Sequence, residues 1–299
     1  MTFTELKNRL TLYERLMRLD KPIGILLLLW PTLWALMLAS HGRPEPMMAW
    51  IFILGTVLMR SAGCVMNDMA DARFDAHVER TRHRPMATGE VSRREALVLA
   101  GVLCLMAFGL VLFLNRMTMI YSFAALVLAA TYPFTKRFLA IPQAYLGVAF
   151  GFGIPMAFVA VREAVPDYGW WMLLANVFWA IAYDTEYAMV DRDDDIRLGL
   201  RTSAITFGRY DVAAVMICYG LMLAVLAYVG KLMLFSMVYY GGLMAAALIM
   251  VYHFRLIADR GRDGCFKAFL HNNWVGAAVF AGIVGEYLSR ARDLAWIWN

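Results

Sequence analysis

Mostly apolar stretches of about 17 to 21 residues recur along the whole chain, at 23–39, 48–66, 95–114, 117–134, 142–160, 169–187, 211–229, 233–251 and 272–289. Each is long enough to cross the roughly 30 Å hydrocarbon core of a bilayer as a helix. Lipid cannot satisfy open backbone groups, so helices are the expected element. With 62% hydrophobic and 17% charged residues, 299 residues offer too little polar surface for a soluble domain of this size. The expected architecture is an all-α integral membrane bundle of about nine transmembrane helices, forming a single domain over residues 1–299.

Residues 1–22, MTFTELKNRLTLYERLMRLDKP, place Leu6, Leu10, Tyr13, Leu16 and Met17 close to one helical face. They read as an amphipathic lead-in segment. The polar stretch is long and no small-residue cleavage site follows the first apolar run, which argues against a signal peptide. Cys64, Cys104, Cys218 and Cys265 are isolated, with no CxxC or Cys/His spacing, so neither a disulfide framework nor a zinc site is expected. The formal charge of +5 is not read as nucleic-acid binding, because the basic residues sort by connection. With the N-terminus in the cytoplasm, alternate segments carry 21 and 6 Lys and Arg, and Arg60 falls inside the second span. The positive-inside rule then puts the C-terminus on the opposite side.

Both large cytoplasmic connections, 67–93 and 188–210, carry acid clusters. In NDMADARFD, Asp68, Asp71 and Asp75 stand at i, i+3 and i+7, and Asn67 lies four residues before Asp71. If the second helix continues past the membrane surface, these share one face. In YDTEYAMVDRDDD, Asp184, Asp191 and Asp195 stand at i, i+7 and i+11, again one face. Like charges stacked this way destabilise a helix, and an ionised carboxylate within an apolar span is costly. Stability does not call for such an arrangement. Divalent cations would offset the repulsion, and carboxylates with substrate phosphate oxygens are the usual way to hold magnesium. Asp193 and Asp194 read equally well as a solvated acidic loop. Asp71 and Asp191 are 120 residues apart, as are Asp75 and Asp195, and YPF at 132–134 repeats as YHF at 252–254. The second and sixth spans are then equivalent helices of two four-helix halves, with a ninth helix left over. Two facing acidic helices make one site for two metal ions.

Basic residues near these acids are candidates to hold a diphosphate: Arg18 and Lys21, Arg80, Arg82 and Arg84, Lys136 and Arg137. Arg93, Arg94, Arg260 and Arg262 are explained by membrane orientation alone. Arg60 lies about two turns before Asn67 inside an apolar run, where a charge faces a partner or a polar cavity. It either binds an anionic group of a second substrate or makes an internal salt bridge to Asp184 or Glu186. His77 and His83 lack a metal-ligand partner at a convincing spacing. No P-loop, no GxGxxG in a strand–turn–helix context and no Ser/His/Asp arrangement is found.

Taken together, RLMRLDKPIGILLLLWPTLWAL, RSAGCVMNDMADARFD, RHRPM, YPFTKR, YDTEYAMVDRDDD and CFKAFLHNNWVG resemble the UbiA-type superfamily of intramembrane prenyltransferases, over almost the whole chain. The DKPIG…LLLLWPT start and YDTEYAMVDRDDD point to its hydroxybenzoate branch. The resemblance implies a UbiA-like helical bundle with a central cavity open to lipid, and two magnesium ions. It also implies a long-chain polyprenyl diphosphate donor and a 4-hydroxybenzoate acceptor, prenylated ortho to the hydroxyl in ubiquinone biosynthesis. The setting would be a bacterial inner membrane, with the C-terminus periplasmic and the site at the cytoplasmic face. The candidate metal ligands are Asp68, Asp71, Asp75, Asp191 and Asp195. Candidate substrate-binding residues are Asn67, Arg18, Lys21, Arg60, Asp184, Lys136 and Arg137. Asp191, as a proton acceptor, and Arg137 are the candidate catalytic groups. Competing readings are a family member with another acceptor and, from a different class, an ion-coupled transporter. Transporter sites lie near the membrane midplane, whereas these acids sit at one face.

Overall fold

The computed structural model describes residues 3–135 and 137–297, with side chains for all of these but 73, 74 and 293–297. Among the described residues every regular element is helical. In chain order they are α1 (Phe3–Met17), α2 (Ile23–Ala39), α3 (Pro46–Asp75), α4 (Arg93–Val111), α5 (Arg116–Thr135), α6 (Pro142–Gly151), α7 (Gly153–Arg162), α8 (Asp167–Arg197), the short α9 (Ser203–Phe207), α10 (Asp211–Leu232), α11 (Met237–Ile257) and α12 (Arg262–Ile297). Each expected apolar span falls on one of these, except that 142–160 is divided between α6 and α7 at Phe152. Six segments are long and apolar enough to cross a membrane, with α6 and α7 together as one of them, and α2 is a shorter apolar helix. Three of the nine expected spans therefore fall outside that measure. Of these, α8 carries Asn176, Asp184 and Glu186 in its span, and α12 carries Asn272, Asn273 and Glu286.

Start and stop signals are local. Ser92 accepts from the Glu95 N–H while the Glu95 side chain returns to the Ser92 N–H, a reciprocal cap that begins α4. Ser236 caps α11 through the Val238 N–H. Of the expected α1 face, Leu16 is buried and Met17 packs with it against Val65, whereas Leu6 and Leu10 are exposed.

The helix ends fall into two groups. At one end Arg18 meets Asp68, Arg80 meets Asp191, Arg260 meets Asp211, and Arg201 donates to the Phe138 carbonyl. At the other, Arg162 donates to the Ala39 carbonyl, Asn115 to the Val159 carbonyl, and Glu286 accepts from the Ser236 N–H. The acids of α3 and α8 thus lie at the same end. The starts of α2 and α6, α3 and α8, α4 and α10, and α5 and α11 each lie about 120 residues apart, with α12 left over.

A buried polar network fixes α8 against α10, α11 and α12. Glu186 accepts from Asn272 Nδ2 at 2.8 Å and lies 2.9 Å from the Tyr219 hydroxyl, which is 3.0 Å from His253 Nδ1. Trp179 Nε1 donates to Asn272 Oδ1 at 2.8 Å, and Trp34 stacks on Trp179 with ring centroids 5.3 Å apart. Buried groups of this kind stay only because each finds a partner.

α11 and α12 cross where both backbones are bare. A Cβ on Gly242 would stand 2.5 Å from Gly282 Cα, and one on Gly282 would stand 2.9 Å from Gly242 Cα. Small residues allow such approach between membrane helices. Gly242→Leu is therefore expected to cost at least the about 1–3 kcal/mol typical of overpacking, read as a lower midpoint of thermal unfolding in detergent. An unchanged midpoint would show that the crossing opens without cost.

Candidate active site

The helical period of α3 carries Asn67, Asp71 and Asp75 down one face, with Asp68 beside them, and that of α8 does the same for Asp184, Asp191 and Asp195. All seven line a single cavity of about 1110 Å³. Arg18, Lys21, Arg60, Arg80 and Arg84 line it as well. Beyond the charged end the wall turns apolar, through Phe52 on α3, Leu105 and Phe108 on α4, Phe123 and Leu126 on α5, and Phe150 on α6. Leu105, Phe123 and Leu126 are also exposed on the outer surface, so the cavity reaches the flank of the bundle between α4 and α5.

The acids do not stand alone. Asp68, 1% exposed, receives Arg18 Nη2 at 2.5 Å and Arg84 Nη1 at 3.0 Å on the same oxygen. The same Arg84 nitrogen lies 2.7 Å from Asp75 Oδ2. Burial and the neighbouring Asp68 and Asp71 push the Asp75 carboxyl above its ordinary range, with Arg84 acting against them. Across the cavity Arg80 grips both oxygens of Asp191, with Nε 3.0 and 3.1 Å from them, and its guanidinium lies 4.4 Å from the centre of the Tyr187 ring. Among the described residues no three Asp, Glu, His or Cys side chains come together to hold a metal by themselves. The donor set still fits magnesium. It offers hard carboxylate oxygens from two helices at one cavity mouth, as befits an ion that completes its shell with phosphate oxygens and water.

Arg60 sits deeper. Its Nη1 lies 2.6 Å from Cys64 Sγ, its guanidinium is 5.5 Å from the centre of the Phe150 ring, and a Cβ on Gly24 would touch it at 2.5 Å. Its Nε is buried without a hydrogen-bond partner. Of the two partners the sequence offers for an internal salt bridge, Glu186 faces away into the α8–α12 network, while Asp184 lines the same cavity as Arg60.

Arg137 is exposed, stacked 5.1 Å over Phe134 with Nη2 3.5 Å from the Ala70 carbonyl, and stands outside the cavity lining. Arg82 turns to His83 and is also outside the lining. Lys136 lies outside the described residues. Sequence reasoning passed over Tyr187, although its place four residues before Asp191 puts it on the acidic face of α8.

The model of the UbiA prenyltransferase family matches residues 28–276. The chain is 62% identical over 295 residues to 4-hydroxybenzoate octaprenyltransferase of Dechloromonas aromatica (strain RCB), covering 98% of this chain and 100% of that protein. It is 63% identical over 294 residues to the protein of the same name in Thiobacillus denitrificans, covering 98% and 99%. A UbiA homolog from Aeropyrum pernix K1 superposes with a TM-score of 0.76 at 25% identity, over 87% of this chain and 96% of that one. The fold is shared too with a UbiA homolog from Archaeoglobus fulgidus bound to GPP and Mg2+, with a TM-score of 0.66 at 18% identity over 91% and 99% of the two chains. Like the acid-bearing helices and the cavity they line, these similarities run along nearly the entire chain, and the chain belongs to the UbiA prenyltransferase family.

Proposed function

We propose that this enzyme transfers a long polyprenyl chain from polyprenyl diphosphate to the ring carbon ortho to the hydroxyl of 4-hydroxybenzoate, releasing diphosphate, in ubiquinone biosynthesis. The observation that carries this reading is the single cavity joining a carboxylate and arginine end to a long apolar wall that reaches the flank of the bundle. A diphosphate belongs at the first, and an isoprenoid tail entering from lipid belongs along the second. The names of the relatives support the substrates, and the Archaeoglobus fulgidus neighbour supports divalent metal use.

The residues divide the work. Asp71 and Asp75 on α3, with Asp191 and Asp195 on α8, would hold two magnesium ions, with Asn67 beside them. Asp68 is more deeply committed to Arg18 and Arg84 and acts chiefly by holding those arginines. Magnesium, when bound, draws charge from the diphosphate and so assists departure of the leaving group. The allylic C–O bond breaks and diphosphate keeps the electron pair, while Arg18, Lys21, Arg80 and Arg84 offer it positive charge. The apolar wall keeps water from the allylic cation. The phenol ring attacks that carbon, and the ring proton leaves to a carboxylate, assigned here to Asp191. Arg60 takes the acceptor carboxylate, since it is the cation that lines the cavity from within the apolar part of α3. Asp184 and Tyr187 line the space between. Arg137, from outside the cavity lining, and Lys136 are the further candidates to assist the diphosphate. The grouping of helix ends supports crossings between two faces, and the excess of Lys and Arg in the segments at the acid-bearing end supports nine crossings of a bacterial inner membrane with the N-terminus and the site cytoplasmic and the C-terminus periplasmic.

Three measurements test this. Prenylation of labelled 4-hydroxybenzoate is expected to vanish with EDTA, and in Asp71→Asn or Asp191→Asn to fall by more than the about 10–100-fold typical of losing an outer-sphere partner. Full activity in EDTA would end the metal reading. Arg60→Met is expected to raise KM for 4-hydroxybenzoate about 10–100-fold, the worth of a charge-assisted hydrogen bond, with KM for the donor unchanged. A rise confined to the donor would move Arg60 to the diphosphate. For Arg137→Ala a strong fall in turnover is expected, and near-normal kinetics in the folded variant would exclude a direct role.

A further inference from the structure

The segment 76–92, between α3 and α4, places its arginines on the acids of both helices. Arg80 engages both oxygens of Asp191, and Arg84 reaches Asp75 and Asp68. The segment is itself anchored: the Thr81 hydroxyl donates to the Asp75 carbonyl at 3.0 Å, and Val78 and Thr81 are buried. Arg262 on α12 ties it to α8, lying 3.4 Å from Glu79 Oε2 and 3.5 Å from Asp193 Oδ2. These arginines are therefore held at the acids by the fold.

A guanidinium fork takes the lone pair on the inner side of each carboxylate oxygen, the same pair a metal chelated by both oxygens would use, and it sets a positive charge where that metal would sit. At Asp191 both oxygens are engaged, so Arg80 and a metal compete for them. A metal arriving alone would have to displace an arginine and leave its charge half-buried beside a second cation. A metal arriving with a diphosphate brings the phosphate oxygens that the displaced guanidinium can take up. Both exchanges then occur within the same few ångströms, and each cation keeps an anionic partner.

Resting on the metal–diphosphate reading above, we infer that Arg80 and Arg84 are electrostatic placeholders that pass from Asp191 and Asp75 to the diphosphate, so that the site admits its metal together with the donor. Their role is to position and to order binding. Metal and donor then bind with positive coupling, each raising the affinity for the other by the same factor. Tyr187 gives Arg80 a face to rest on while it changes partners.

The test uses the full-length protein in detergent, with Mn2+ as the metal probe followed by electron paramagnetic resonance. Geranyl S-thiolodiphosphate, an unreactive donor analogue, is titrated separately. Arg80→Gln and Arg84→Gln are each expected to bind Mn2+ alone at least tenfold more tightly than the parent protein. With Mn2+ saturating, each is expected to bind the analogue at least tenfold more weakly. Thermal unfolding confirms that each variant is folded, and the two substitutions lie on opposite acid clusters. Mn2+ affinity that is unchanged or weaker in both folded variants would overturn the placeholder role and leave the metal–diphosphate reading standing. Failure of the parent protein to bind Mn2+ even with the analogue would overturn that reading as well.

Discussion

Asp68 is almost completely buried, and its negative charge is met by Arg18 and Arg84 on a single oxygen. Removing one partner of such a pair costs about 3–5 kcal/mol, because an uncompensated charge stays in the interior. Much of the site end follows from that constraint. Arg18 stands at φ 56, the left-handed region that ends α1, and its side chain docks the lead-in helix onto α3. Arg84 draws segment 76–92 back over the end of α3, which in turn brings Arg80 to Asp191 on α8. Three pieces of chain that length and polarity alone would leave loose are thus organised by charge compensation.

The same helix that carries the second acid cluster is held from behind. Residues two apart on a helix point about 200° apart, so Asp184 and Glu186 face opposite ways. Asp184 lines the cavity while Glu186 is fixed by Asn272 and Tyr219. Thr185 adds a second tether, 2.6 Å from the Ser203 hydroxyl. Rotating α8 by one residue would carry Asp191 and Asp195 out of the cavity and Glu186 out of its network. The buried polar groups therefore set the register of α8, a use of buried polarity that apolar packing alone does not supply.

These relations explain what could be read from the chain. Apolar run length marks the helices, because the bilayer fixes it. The spacing of Asp71, Asp75, Asp191 and Asp195 places them on single faces, because the helical period is local. Pairings were not legible: Arg80 and Asp191 are 111 residues apart, and Glu186 and Asn272 are 86 apart. No local rule chooses between Asp184, Glu186 and a substrate as the partner of Arg60. The break at Phe152 and the polar middles of α8 and α12 depend on neighbours that satisfy them, so the apolar pattern gave those spans the same standing as the rest. Nearness in sequence to the end of α5 does not by itself bring the Arg137 side chain into the cavity lining.

The placement of Arg60 bears on which ring carbon reacts. It lies eleven residues before Asp71 on the same α3 stripe, which at 1.5 Å per residue is about 16 Å along the axis. The carboxylate and the hydroxyl of 4-hydroxybenzoate are at opposite ends of the ring. An acceptor whose carboxylate rests on Arg60 therefore turns its hydroxyl edge back toward the acids, where the donor carbon leaves its diphosphate. The carbons ortho to the hydroxyl are then the nearest ring positions that carry a hydrogen to lose, and the carbons beside the carboxylate are held away. Regiochemistry on the proposal that Arg60 holds the acceptor carboxylate comes from the depth of one arginine in an apolar helix.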